Sequence, residues 1–110
     1  MNRLIIIQHN VNHWTGDKRY ELYNTYKHIS PDIILINHHA LLDNTPLKIF
    51  QYKTYTSNKT NSQHRGTAIA IKTNIAHKIL DDFDTDLLAV EIETREGPTM
   101  IDTDYIGPRP

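Results

Sequence analysis

The pattern of apolar and polar residues predicts two strands joined by a helix in the first third of the chain. Leu4–Ile7 and Ile33–Ile36 are continuously apolar, which is typical of strands covered on both faces. A polar stretch, His9–Gly16, follows the first run, and Asn37–His39 follows the second. The order strand, helix, strand has the length of a βαβ unit. We therefore expect two parallel strands whose carboxyl ends lie at the same edge of the sheet.

The segment Asp17–Ile29 carries the helical pattern. Its apolar positions recur at helical spacing, at Leu22, Tyr26 and Ile29. Thr15 or Asp17 can cap its start, and Pro31 disfavours helical geometry at the preceding residue, so we expect the helix to end there. One side of this helix carries Tyr20, Tyr23 and Tyr26, for which we expect packing rather than base stacking.

The remaining apolar stretches predict strands. They are a weak strand over Ile49–Tyr55, a strong one over Thr67–Lys72, and two more over Leu87–Glu93 and Thr99–Ile106, which the turn Arg95–Pro98 joins as a hairpin. The predicted fold class is α/β, with a mixed β-sheet, mostly strands and one main helix.

Composition limits the organisation and the chemistry of the chain. The 110 residues predict one domain over positions 1–110, and the absence of cysteine excludes disulfides and thiolate zinc sites. With 12 Lys+Arg against 13 Asp+Glu the net charge is −1, so no global charge attracts nucleic acid or an anionic membrane. Leu4–Ile7 is too short for a signal peptide or a membrane span. We expect no membrane partner, and a nuclear or cytoplasmic protein rather than a secreted one.

Polar side chains cluster after the two N-terminal strands. They are His9, Asn10, Asn12 and His13 after the first strand, and Asn37, His38 and His39 after the second. Imidazoles suit a transition metal, although histidines in loops are usually solvated. The amide oxygens of Asn10 and Asn12 either hold the loop by bonding its own backbone or face a hard cation. The pattern alone leaves these alternatives open.

Charged runs elsewhere have similarly open interpretations. Asp81–Asp86 holds four carboxylates but lacks the glycine and the distal glutamate of an EF-hand, which favours a solvated turn over a cation loop. Basic residues interleave with tyrosines further upstream, at Lys53, Lys59, Arg65 and Lys72 with Tyr52 and Tyr55. This pattern suits either contacts to a phosphate backbone or an ordinary surface.

Four segments, taken in order, resemble the endonuclease/exonuclease/phosphatase superfamily, the apurinic-endonuclease-like fold. They are Ile5–Asn12, with the strand-ending Gln-x-Asn-x-Asn motif; Pro31–His38, with Pro-Asp before an apolar strand; Gly66–Lys72, with Gly-x-Ala-apolar-apolar; and Ile101–Pro108, with Tyr-apolar-x-Pro. The resemblance is strongest to the endonuclease domain of non-LTR retrotransposons of the jockey and I types. All 110 residues align with the N-terminal half of that domain.

The resemblance implies a fold and a function. The fold is a four-layer α/β sandwich of which this chain forms the N-terminal half, with the sheet left incomplete at Pro110. The function is Mg²⁺-dependent hydrolysis of DNA phosphodiesters, which nicks the target site beside a reverse transcriptase. The implied partners are DNA and the missing C-terminal half or the rest of a polyprotein, with no small-molecule cofactor.

The resemblance also assigns roles to individual residues. Asn10 matches the active-site asparagine that orients the metal and the catalytic aspartate. Asn12 matches a position near a second metal or the substrate, and Tyr105 matches the tyrosine that contacts the scissile phosphate. His38 stands where the family carries its Mg²⁺-binding glutamate.

Three departures from the family predict a catalytically incomplete enzyme. His38 offers a neutral nitrogen where Mg²⁺ needs a hard oxygen ligand and a negative charge. The residues that the family draws from its second half have no counterpart among these 110, and Asp104 is unlike the small or apolar residue usual there. The alternatives are a nucleic-acid-binding remnant without catalysis, a phosphatase-type member of the same superfamily, or a product with no retained function.

Overall fold

The computed structural model describes residues 4–10, 15–37, 47–57, 67–80, 88–102 and 106–108. Two four-stranded sheets and one helix form the described part of the molecule. The elements of the first sheet and the helix are β1 (Ile6–Asn10), α1 (Gly16–Tyr26), β2 (Ile33–Asn37), β3 (Tyr52–Ser57) and β4 (Thr67–Lys72). Those of the second sheet are β5 (Lys78–Leu80), β6 (Ala89–Thr94), β7 (Gly97–Asp102) and β8 (Ile106–Gly107).

The first sheet is mixed, as the sequence predicts. Its strand order is β1-β2-β4-β3, with β1 parallel to β2 and the other neighbours antiparallel. The parallel pair joined by α1 confirms the predicted strand–helix–strand unit. The first strand, however, begins and ends later than the predicted Leu4–Ile7. It lies at the sheet edge and leaves Ile5 36% exposed, so the expected cover on both faces is wrong for this residue.

The second sheet is antiparallel throughout, in the order β5-β6-β7-β8. Its centre is the hairpin of β6 and β7, which confirms the predicted hairpin, although its turn is Arg95 and Glu96 rather than Arg95–Pro98. The prediction of one strand over Thr99–Ile106 is wrong at its end, because β7 ends at Asp102 and Ile106 lies in β8, which pairs antiparallel with β7. Gly97 opens β7 at φ 102°, a conformation that side chains other than glycine rarely adopt. The sequence pattern missed β5, because a strand of three residues is too short to show a period.

The helix α1 starts where its cap predicts and ends earlier than its apolar spacing predicts. The Thr15 side chain accepts the backbone N–H of Lys18 at 3.2 Å, so Thr15 is the N-cap. Ser30 takes φ 51° just before Pro31, and its N–H donates to the Tyr26 carbonyl at 2.7 Å. Ile29 is therefore turned outward and is 47% exposed. Within the ranges given above, no helix is long and apolar enough to cross a membrane.

Two apolar cores arise from the alternation of side chains along β2 and β4. The core between α1 and the mixed sheet contains Leu22, Ile34, Ile36, Leu47, Ile49, Ala68 and Ala70. The core between the two sheets contains Ile33, Leu35, Ile69, Ile71, Ile75, Val90, Ile92 and Ile101. The helix, the mixed sheet and the antiparallel sheet are therefore three successive layers. This arrangement confirms the α/β class with mostly strands and one helix.

Candidate functional site

The carboxyl ends of the two parallel strands lie side by side. Asn10 is the last residue of β1 and is in register with Asn37, the last residue of β2. Thr67 starts β4 opposite Asn37, and Ser57 ends β3 opposite Thr67, so all four strands meet this edge. The expectation that the segments after β1 and β2 leave from the same edge is thereby confirmed. We call this the asparagine edge, defined by Asn10 and Asn37.

Most of the predicted site residues lie outside the described residues. Asn12, His38 and Tyr105 are in that group, as are the acidic run Asp81–Asp86 and Asp104. Asn10 is placed by its backbone at the asparagine edge. The roles assigned to these residues therefore stay predictions.

His9 has a structural partner at the same edge. Its Nδ1 is 3.2 Å from the Tyr26 hydroxyl, and the two rings meet edge to face with centroids 6.0 Å apart. The register of His9 with Ile36 puts it on the face covered by α1. This imidazole joins β1 to the helix, which favours a structural role for His9 over metal ligation and differs from the solvated loop histidine expected from the sequence.

The side chains that match the family's metal ligands do not fit Mg²⁺. The matching residues supply an amide from Asn10 and an imidazole from His38, and no carboxylate. Mg²⁺ requires oxygen ligands in near-octahedral geometry. In the part of the chain that the structure describes, no three or more His, Asp or Glu side chains are grouped as metal ligands would be.

The Pro-Asp motif before β2 lies at the end of the mixed sheet that is farther from the asparagine edge, and Asp32 connects three strands there. The Asp32 Oδ2 accepts the Ile5 backbone N–H at 2.8 Å, and its Oδ1 lies 3.9 Å from the Lys72 ammonium. Lys72 in turn donates to the Ser30 carbonyl at 2.9 Å. Asp32 therefore fixes the starts of β1 and β2 to the end of β4. Lys72 is engaged in this structure, so the interpretation of Lys72 as a phosphate contact loses its support.

Tyr52 adds a further contact at this end. Its hydroxyl donates to the Pro31 carbonyl. Burial, and secondly the negative charge of Asp32, raise the pKa of Tyr52 above the usual value for tyrosine. The raised pKa keeps the phenol neutral and donating to a higher pH than an exposed tyrosine would be.

Tyr55 and His77 form a second, half-buried pair of a tyrosine and a histidine. The Tyr55 hydroxyl lies 2.7 Å from His77 Nε2, and His77 Nδ1 lies 2.9 Å from the Ile75 carbonyl. Because a carbonyl only accepts, Nδ1 carries the proton and Nε2 accepts from the tyrosine. The pair joins β3 to the segment that precedes β5. Only the packing of the two sheets brings these residues together, so no local sequence signal indicates them.

The predicted packing of the three tyrosines of α1 is observed for one of them. Tyr26 packs against the core beneath α1, but Tyr20 is 62% exposed and Tyr23 is 49% exposed. The expectation that all three tyrosines pack is therefore wrong for these two. The ring of Tyr20 instead lies 5.4 Å from the guanidinium of Arg19.

The comparisons with known proteins add no relative. No protein-family model matches the chain, and no curated protein matches it. The case for a function therefore depends on the residues themselves, on the motifs they form and on the geometry described above.

Proposed function

We propose that the chain is the N-terminal part of a metal-dependent, phosphodiesterase-type DNA endonuclease of the endonuclease/exonuclease/phosphatase kind. The proposed parent enzyme nicks target DNA beside the reverse transcriptase of a non-LTR retrotransposon. The observation that carries the proposal is the pairing of Asn10 with Asn37 at the ends of two parallel strands. Two motifs far apart in sequence thereby end at one edge, as a shared phosphate site requires.

The layers of the molecule support the same proposal. A helix lies on one face of a mixed sheet and an antiparallel sheet lies on the other. We take these to be three of the four layers of an α/β sandwich of this superfamily. A phosphatase-type member would share this sheet, so fold alone does not separate the two. We prefer DNA because the segments Pro31–Asn37 and Tyr105–Pro108 resemble the retrotransposon enzymes.

Each proposed role follows from the chemistry of one residue. Asn10 orients the reacting phosphodiester through its amide, Asn12 lies beside it, and Tyr105 donates its hydroxyl to a phosphate oxygen. His38 replaces the carboxylate that would hold Mg²⁺, so the chain positions DNA but lacks the ligand for the cation that assists hydrolysis. We therefore propose that the chain by itself does not cut DNA.

The first test restores the missing ligand. The variant His38→Glu restores the carboxylate that the family carries at this position, so it should bind Mn²⁺ at least about tenfold more tightly than the original chain, as measured by electron paramagnetic resonance. The double variant His38→Glu/Asn10→Ala should lose this gain. An equal affinity in all three proteins would show that these residues do not form one site.

Plasmid nicking tests the proposed inactivity. The chain and His38→Glu should both leave supercoiled plasmid intact in Mg²⁺ or Mn²⁺, because the catalytic residues of the second half have no counterpart here. Nicking by the original chain that Asn10→Ala abolishes would overturn the inactivity and support the site. Nicking that Asn10→Ala leaves unchanged would overturn the site.

A further inference from the structure

A groove lies between α1 and the segment that leads into β3. It has a volume of about 710 Å³ and is lined by Arg19, Tyr20, Lys48, Ile49, Phe50, Tyr52, Lys53 and Thr54. Phe50 is 72% exposed and Tyr20 is 62% exposed, the highest values among the large apolar side chains of the described ranges. Two solvent-exposed aromatic rings in one groove favour the binding of a ligand that contains a flat ring.

The backbone around Phe50 explains why this ring stays outside the core. Leu47 and Ile49 are buried beneath α1, and Thr54 donates to the Leu47 carbonyl. Gln51 takes φ 72°, and the Tyr52 N–H donates to the Ile49 carbonyl at 3.0 Å. The segment is thus anchored on both sides of Phe50, so the exposed ring sits on a fixed turn.

The charge of the groove is positive although the chain as a whole is slightly acidic. Arg19 and Lys48 line it, and no described carboxylate does. Lys53 also borders the groove, but its ammonium lies 5.6 Å from the Tyr55 ring, on the other face of β3, and adds no charge here.

Asp17 and Glu21 are not among the residues that line the groove, and each lies about 160° around α1 from Arg19. The charge of Glu21 is also met by Lys18, 3.9 Å away. A negatively charged ligand therefore complements this groove.

We propose that the groove binds single-stranded nucleic acid. A base stacks on Phe50 or Tyr20, and Arg19 and Lys48 contact the neighbouring phosphates. Base stacking on aromatic rings beside a cationic track is how proteins hold single strands, whereas a duplex keeps its bases out of reach. A groove of this volume takes roughly one or two nucleotides.

This surface is separate from the asparagine edge. Tyr52 lines the groove and is the first residue of β3. It pairs with Lys72, the last residue of β4, and this end of the mixed sheet is the one farther from Asn10 and Asn37. The proposal therefore needs neither the metal nor the phosphodiester chemistry proposed above. Binding can be measured with divalent cations removed by a chelator, so failure of one proposal does not imply failure of the other.

The test measures binding of a fluorescein-labelled oligo-dT single strand to the full 110-residue chain by anisotropy. Phe50→Ala should weaken binding roughly tenfold or more, and Phe50→Trp should retain it because it keeps a stacking ring. Arg19→Gln and Lys48→Gln should each lower the slope of log affinity against log salt by about 0.7. A matched duplex should compete weakly.

Two exposed positions on the second sheet provide matched controls. Lys78→Gln removes a cation that is paired with Glu91 at 3.3 Å, and Ile106→Ala truncates a side chain that is 51% exposed. Both should leave oligo-dT affinity unchanged. The proposal is wrong if Phe50→Ala binds as the original chain does, if the duplex competes as well as the single strand, or if the control variants weaken binding equally.

Discussion

At the residue scale, Tyr52 shows how one hydroxyl can connect local chemistry to stability. Its phenol donates to the carbonyl of Pro31, the residue at which the chain turns into β2. Burial and the carboxylate of Asp32 both disfavour the tyrosinate and raise the pKa of this phenol. The folded state therefore retains a proton that the unfolded chain releases in alkali.

The sign of the resulting pH dependence follows from linkage. A group whose pKa is raised on folding contributes stability that is complete below its unfolded pKa and is lost as the pH rises through the folded pKa. Tyr52→Phe should lower the free energy of unfolding by about 1 kcal/mol near neutral pH. The difference in stability between the two proteins should shrink above about pH 10. There Tyr52 ionises in the unfolded chain, and the original protein loses the stability that the neutral phenol contributes.

Urea unfolding from about pH 7 to about pH 11 measures this effect. Tyr23→Phe is the matched control, because Tyr23 is 49% exposed and should change little at any pH. A stability difference between Tyr52→Phe and the original protein that stays constant over this range would contradict the role given to burial and Asp32.

At the element scale, strands buried on both faces were the most predictable. The residues of β2 and β4 form unbroken apolar runs, and the predicted Thr67–Lys72 coincides with β4. The strand β3 begins later than predicted, because the first apolar residues of the predicted strand precede a turn at Gln51. The helix ends early for a comparable reason, since Ser30 enters the left-handed region before Pro31. In both cases a backbone conformation overrode the side-chain pattern.

Asp32 provides an element-scale prediction. Asp32→Ala removes the acceptor for the Ile5 N–H and the charge beside Lys72, which together connect β1, β2 and β4. We expect the free energy of unfolding to fall by about 1–3 kcal/mol, the cost of leaving such partners unmet.

Chemical denaturation of Asp32→Ala can be compared with Glu21→Ala. The Glu21 side chain is 69% exposed and its pair with Lys18 is long, so its loss should cost less than about 0.5 kcal/mol. Equal destabilisation by the two variants would mean that Asp32 is an ordinary surface charge.

At the scale of the whole molecule, the contact between the two sheets decides stability. Ile101 is fully buried in that contact, whereas Ile106, its partner across β7 and β8, is 51% exposed. Ile101→Ala should cost about 2–5 kcal/mol, because it leaves a cavity between the layers, and Ile106→Ala should cost well under half as much.

Native-state hydrogen exchange offers the matching measurement. Amides of β2 and β6 should lose protection together in Ile101→Ala, because the same core joins both sheets. Loss confined to the second sheet would show that the layers unfold independently and that Ile101 does not couple them.

The candidate surfaces were predictable to very different degrees. The meeting of the strands at Asn10 and Asn37 follows from the βαβ pattern, because parallel strands end at the same edge. The groove beside Phe50 does not follow from the sequence, since Arg19 and Lys48 meet only after α1 packs over the mixed sheet. The prediction that Tyr20 packs against the sheet was wrong for a related reason. Helical spacing shows which residues share a side of α1, but it does not show which part of that side the sheet covers.

The two sheets also differ in how far apart in sequence their partners lie, and this sets an order of events during refolding. The bond from Ile5 to Asp32 joins residues 27 apart, and that from Lys72 to Ser30 joins residues 42 apart. The hairpin of β6 and β7 closes over Arg95 and Glu96 alone. The entropy cost of closing a loop grows with the length of the loop. We therefore expect the hairpin of β6 and β7 to form early in refolding and the pairing of β2 with β4 to form later.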